Sequence, residues 1–267
     1  MPNFSMRDSE NRHRSIYLLP NAFTTAALFA GFYAVVQAMN DRFEVAAIAI
    51  FVAMVLDGMD GRVARLTNTQ SAFGEQYDSL SDMTSFGVAP ALVMYEWILN
   101  DLGRWGWLAA FVYVAGAALR LARFNTNIAV VDKRYFQGLP SPAAAALVAG
   151  FVWLAVDNKL PIHDSLMAWV AFTLTMYAGI TMVSNAPFFS GKSFALGRSV
   201  PFWGILLVVA VFVFVSSDPP VVLFGLFVLY GLSGWIMWGW RWNKARRLTQ
   251  ELSLIHISEP TRQAEIS

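Results

Sequence analysis

The feature that most limits how this chain can fold is a succession of apolar runs, each close to the length of a membrane-crossing helix. About 20 mostly apolar residues are needed for a helix to span the hydrocarbon core of a bilayer. About eight such runs occur, roughly Tyr17–Ala38, Val45–Val63, Asp78–Leu99, Trp105–Phe124, Pro142–Val156, Leu166–Val183, Val200–Ser216 and Pro220–Trp240. The fifth is short. Turn-forming residues separate several of them, at Asn40–Asp41, Asn100–Asp101, Asp157–Asn158 and Asp218–Pro219. Strands of an open sheet are excluded, because lipid does not tolerate sheet edges. The expected fold class is all-α, a polytopic membrane helix bundle.

Composition closes the other routes. Hydrophobic residues make up 57% of the 267 and charged residues 14%, against about 45–50% and 25% in a soluble domain. Too few charges remain to cover a soluble surface. Disordered chains are poor in aromatics, whereas 15% of this chain is aromatic. The absence of cysteine excludes a disulfide scaffold. A near balance of 19 basic and 18 acidic residues argues against a nucleic-acid partner.

The basic residues set an orientation, since cytoplasmic loops collect Lys and Arg. With a cytoplasmic amino terminus, one side receives Arg7, Arg12, Arg14, Arg62, Arg65, Arg120, Arg123, Lys133, Arg134, Lys192, Arg198, Arg241, Lys244, Arg246 and Arg247. Only Arg42, Arg104 and Lys159 fall on the other, and Arg262 lies in the tail. The expected organisation is a cytoplasmic segment over 1–15, a six-helix core over 16–200, two further spans over 200–242 and a cytoplasmic tail over 243–267. The first span is too long for a signal-peptide core. Residues 252–267 do not resemble the rest and are read as a disordered tail or a cloning or sequencing scar.

Four carboxylates break the apolar pattern at the cytoplasmic ends of the second and third spans. Asp57 and Asp60 are three residues apart, Asp78 and Asp82 four apart, so each pair shares a helix face. At about 100° per residue, Asp57, Asp60, Gly61, Ala64 and Arg65 fall within roughly 140° of one another. Gly61 and Ala64 keep that face low, and Arg65 can fork hydrogen bonds to a phosphate. Four close acids in a membrane repel and are costly. Divalent cations offset that most simply, and all-oxygen ligands favour Mg²⁺ or Mn²⁺. The pattern describes a two-metal site facing a phosphate. Two other readings are helix-capping interfacial charges and an ion pathway. Clustering at one membrane face disfavours the pathway.

This segment is similar to the signature of the CDP-alcohol phosphotransferases, DxxDGxxARx8GxxxDxxxD, met without a gap by Asp57, Asp60, Gly61, Ala64, Arg65, Gly74, Asp78 and Asp82. Four further segments resemble the branch of that family that makes phosphatidylserine: Leu19–Thr25, Ser85–Pro90, Leu119–Asn125 and Gly138–Pro142. The resemblance implies transfer of the phosphatidyl group of CDP-diacylglycerol to L-serine, with release of CMP. It implies that Asp57, Asp60 and Asp78 hold two metals, and that Asp82 touches the second metal and is the general base. By the same resemblance Asn21, Thr24, Asp60, Gly61, Ala64, Arg65, Ser71 and Gly74 bind CDP-diacylglycerol. A homodimer in the cytoplasmic (inner) membrane of a prokaryote, its site facing the cytoplasm, is implied as well.

An acceptor with a carboxylate needs a cation. Arg120 and Arg123 stand at the right depth for that role, with Asn125 as a further hydrogen-bonding group. Their alternative is anchoring, with the long side chains reaching the interface. Ser85 and Phe86 either shape the acceptor pocket or pack the bundle. Other acceptors, such as glycerol phosphate or inositol phosphate, stay open on charge alone, as does an ion-coupled transporter at a greater remove. Pro90 is expected to kink the third span.

Overall fold

The computed structural model describes residues 4–67, 69, 71–126, 135–157, 164–189 and 202–258, and these are almost entirely helical. Of the basic residues that set the orientation, Lys133, Arg134, Lys159, Lys192 and Arg198 lie outside the described residues, as do Arg262 and the side chains of Arg7, Arg12, Arg14 and Arg247. Helix α1 (Phe4–Ala38) is followed by α2 (Phe43–Leu66), α3 (Ala72–Asp82), a π-helical turn (Met83–Val88) and α4 (Ala89–Trp97). A 3₁₀ turn (Leu99–Leu102) leads to α5 (Arg104–Thr126). Beyond it lie strand β1 (Tyr135–Gln137), α6 (Ser141–Val156), α7 (Asp164–Val183), strand β2 (Pro187–Phe189), α8 (Phe202–Ser217) and α9 (Pro219–Ser258).

Small side chains draw the first two helices together. Ala27, Ala30, Ala34 and Ala38 recur at helical spacing along α1 and are buried, as are Ala46, Ala47, Ala49 and Ala53 of α2, and the two helices pack along their length. Such residues let helix backbones approach closely. The reversal between them is tight, with Asp41 at φ 58°. At the centre stands α6, buried from Ser141 to Leu154 on nearly every face. It touches α2, α4, α7 and α9, and a helix apolar all round belongs in such a place. Its 16 residues span about 24 Å, short of a bilayer core. Among the described residues, three helices are long and apolar enough to cross a membrane: Arg104–Thr126, Ser165–Val183 and Pro219–Lys244.

The third apolar run is one rod in three parts, α3, the π turn and α4. In the π turn the N–H of Ala89 reaches Thr84 O, one residue further back than in an α-helix. Pro90 has no N–H, so the Phe86 carbonyl loses its ordinary helix donor. The hydroxyl of Tyr113, from α5, donates to that carbonyl at 3.0 Å in a buried setting. A simple proline kink was expected here; the chain instead carries a π turn with a replacement donor.

Two further departures stand out. The bundle is not purely α, because β1 and β2 pair antiparallel in the register Tyr135↔Phe189, Phe136↔Phe188 and Gln137↔Pro187. This pairing ties the segment before α6 to the segment after α7. The stretch 252–258, read as the start of a disordered tail or a scar, is helical as the end of α9. Likewise α1 begins at Phe4, well ahead of the apolar run that starts at Tyr17.

Candidate active site

The acids converge because α2 and α3 meet at a short connection. Oxygen atoms of Asp57, Asp60 and Asp78 lie within 4.8 Å of one another. Asp82, one turn further along α3, has Asp57, Asp78 and Arg120 as its electrostatic neighbours. Asp60 is 6% exposed and is held from α1, where Thr24 Oγ1 donates to Asp60 Oδ2 at 2.8 Å. A threonine hydroxyl has a single proton to give. The Pro20 carbonyl also lies within reach at 3.2 Å, but the carboxylate is the nearer and charged acceptor. Ser81 Oγ donates to Thr24 O at 3.1 Å, so α1, α2 and α3 are cross-braced at the level of the acids.

Two carboxylate oxygens, Asp78 Oδ1 and Asp82 Oδ1, are buried with no hydrogen-bond partner among the described residues. Buried charge without a partner is costly. Converging carboxylate oxygens with unused lone pairs are the donor set of a hard divalent cation. The group of Asp57, Asp60 and Asp78 therefore fits such an ion, while Asp82 stands one turn away from it.

Beside the acids opens a cleft of about 640 Å³. All eight residues read as donor-binding line it: Asn21, Thr24, Asp60, Gly61, Ala64, Arg65, Ser71 and Gly74. Asp78 also reaches its wall. At Gly61 a Cβ would meet nothing nearer than Arg65 Nη2 at 4.0 Å, so the backbone there faces open space. Arg65 is partly steered by its own helix, with Nε donating to Gly61 O at 2.8 Å. Ser71 caps α3 by accepting from Gly74 N at 3.0 Å. A Cβ on Gly74 would press on that Ser71 oxygen at 3.1 Å and on Asn21 Oδ1 at 3.4 Å. Helix amino termini of this kind favour anions. Sequence reasoning missed Thr69, Glu75 and Phe124, which also line the cleft. Glu75 and Phe124 stand beside singled-out residues, yet no fixed spacing marks them.

The residues read as acceptor-binding lie elsewhere. Ser85 and Phe86 are fully buried. Ser85 Oγ donates to Ala27 O at 3.0 Å, so their contacts are those of the packing alternative. Arg123 donates to Asn185 Oδ1 at 3.2 Å. Asn125 Nδ2 donates to Ser79 Oγ at 3.1 Å, one residue from Asp78. Arg120 donates to Ser141 Oγ at 2.7 Å and has Asp82 as an electrostatic neighbour.

Most of the chain is similar to known proteins. A family model described as CDP-alcohol phosphatidyltransferase matches residues 17–183. A Helicobacter pylori protein named CDP-diacylglycerol–serine O-phosphatidyltransferase is 36% identical over 227 residues, covering 83% of this chain and 92% of the relative. Proteins of the same name are similar in Methanocaldococcus jannaschii, at 42% over 136 residues (51% of this chain, 59% of the relative), and in Saccharomyces cerevisiae, at 37% over 167 residues (57% and 56%).

Proposed function

The chain belongs to the CDP-alcohol phosphatidyltransferase family, and from that premise we propose that it transfers the phosphatidyl group of CDP-diacylglycerol to the hydroxyl of L-serine, giving phosphatidylserine and CMP. The observation that carries this reading is the convergence of Asp57, Asp60 and Asp78 within 4.8 Å, with Asp60 and Asp78 lining a cleft that Gly61, Ala64, Arg65 and Ser71 also line. The names of the relatives supply the acceptor.

In this reading the nucleotide end of the donor occupies the cleft. Gly61 and Ala64 let it lie against α2, while Arg65 and the capped start of α3 take its phosphates. Two divalent cations, Mg²⁺ or Mn²⁺, held by Asp57, Asp60, Asp78 and Asp82 would neutralise the pyrophosphate and the departing CMP. The Asp82 carboxylate, whose Oδ1 is buried and without a partner among the described residues, accepts the proton of the serine hydroxyl. The serine oxygen then bonds to the lipid-side phosphorus as the bond to the CMP oxygen breaks. Arg120 pairs with the serine carboxylate. Rate comes from positioning and charge stabilisation. The active unit is a homodimer of eight-span chains in the cytoplasmic (inner) membrane of a prokaryote, amino terminus and site facing the cytoplasm. The placement of the basic residues and the family resemblance support that part of the reading.

Purified protein with CDP-diacylglycerol, Mg²⁺ or Mn²⁺ and a panel of alcohols tests it by CMP release. Release is expected with serine and with none of glycerol phosphate, inositol phosphate or inositol. Release only with another alcohol moves the acceptor assignment, and no release with any acceptor from folded protein removes the enzyme reading.

A further inference from the structure

The start of α6 is anchored more firmly than a loop-to-helix junction requires. Gly138 sits at φ 80°, and a Cβ there would collide with the Met182 carbonyl, so only glycine lets the chain press against α7. Gly138 N donates to Ala186 O at 2.9 Å and Leu139 N to Thr181 O at 3.1 Å. The β1–β2 pairing holds the same segment from the other side. From α9, Tyr230 donates to Phe189 O at 3.0 Å, and its ring lies 5.6 Å from that of Phe188, which is fully buried.

The side chain delivered by this scaffold is Ser141, fully buried at the first position of α6. Serine near a helix start usually caps it. Here α6 has no side-chain cap, and the Ser141 hydroxyl instead accepts from Arg120 Nη1 at 2.7 Å. Asp82, Tyr230 and Tyr113 are the electrostatic neighbours of that guanidinium. Arginine carries five N–H donors in a rigid fork on a flexible stem. A buried acceptor that takes one donor fixes the plane of the fork and leaves its other N–H groups for a second acceptor.

We propose that Ser141 is a positioning residue for the acceptor: it holds the Arg120 guanidinium in the orientation that receives the carboxylate of the amino-acid substrate next to Asp82. The proposal rests on the reading of Arg120 as the partner of the serine carboxylate. Ser141 touches neither substrate nor cation, and it acts through Arg120.

The test is a KM-against-kcat split on the full-length protein in detergent with CDP-diacylglycerol, comparing wild type with Ser141→Ala. The KM for serine is expected to rise about tenfold, the size of one lost charge-assisted hydrogen bond. The KM for CDP-diacylglycerol is expected to stay at the wild-type value while the melting temperature falls slightly, as loss of a buried acceptor requires. Ser141→Cys keeps the volume but offers only a weak acceptor, so it should show the same split and serves where the alanine variant does not fold. Equal rises in both KM values would mean that Ser141 only packs, and would overturn the inference. An unchanged serine KM in a serine-active background overturns it alone. Wild type without serine-dependent CMP release overturns the functional reading, and this inference with it.

Discussion

Gly61 shows how a single missing side chain serves a site. It lies inside α2, where glycine costs about 0.5–1 kcal/mol relative to alanine, and its Cβ would project into the open cleft. Gly61→Ala is therefore expected to raise the melting temperature slightly while raising the KM for CDP-diacylglycerol. A substitution that is better for the helix and worse for the donor separates ligand clearance from folding. Thr24 tests the opposite kind of residue. Thr24→Val keeps the shape but removes the donor to Asp60 Oδ2. Loss of such an outer hydrogen bond typically weakens cation affinity about 10–100-fold, so the Mg²⁺ concentration for half-maximal activity should rise by that order, read from a metal titration of CMP release. Asp82→Asn is nearly isosteric but cannot accept the proton. Turnover should vanish while binding of CDP-diacylglycerol, measured directly, survives; full activity in this variant would remove Asp82 as the base. The acidic residues and the small residues between them were legible because their chemistry depends on spacing along one or two helices. Thr69, Glu75 and Phe124 were not, because they join the cleft only after the chain turns between α2 and α3 and α5 packs beside it.

At the level of elements, the third apolar run carries the clearest lesson. The sequence placed a helix there and Pro90 inside it, but the way the chain meets the lost hydrogen bond depends on a partner at Tyr113, in the next long helix. No local pattern encodes that. Tyr113→Phe leaves the Phe86 carbonyl buried and without this donor, which costs about 1–3 kcal/mol. Thermal or denaturant unfolding in detergent should register the loss, and a variant as stable as wild type would show that the π turn does not depend on this hydroxyl. The β1–β2 pair escaped the sequence for a related reason. Three-residue strands have too little periodicity to read, and these two are set by the register between distant segments. The boundaries of the apolar runs, by contrast, were largely visible, because asparagine, aspartate and proline interrupt them. Polar helix continues past those boundaries at both Phe4 and Ser258, where hydropathy gives no signal.

The whole molecule resolves the tension in its own composition. Apolar residues build an integral membrane bundle around α6. The few acids that hydropathy would forbid are gathered at one site, where three helices brace them. A lipid-linked nucleotide suits that arrangement, since its acyl chains belong in the bilayer and its phosphates beside the acids. The helix α9 lies beyond the residues 17–183 matched by the family model, yet Tyr230, Gly231 and Trp235 bond back to β2 and α7. The most direct measurement of the central claim follows both products of one reaction. Protein in liposomes containing CDP-diacylglycerol is given Mg²⁺ or Mn²⁺ and isotopically labelled serine. Label should enter the lipid phase in equal amounts with released CMP, and Asp82→Asn should give neither. CMP without labelled lipid, or labelled lipid only from an alcohol other than serine, would contradict the assignment of phosphatidyl transfer to serine.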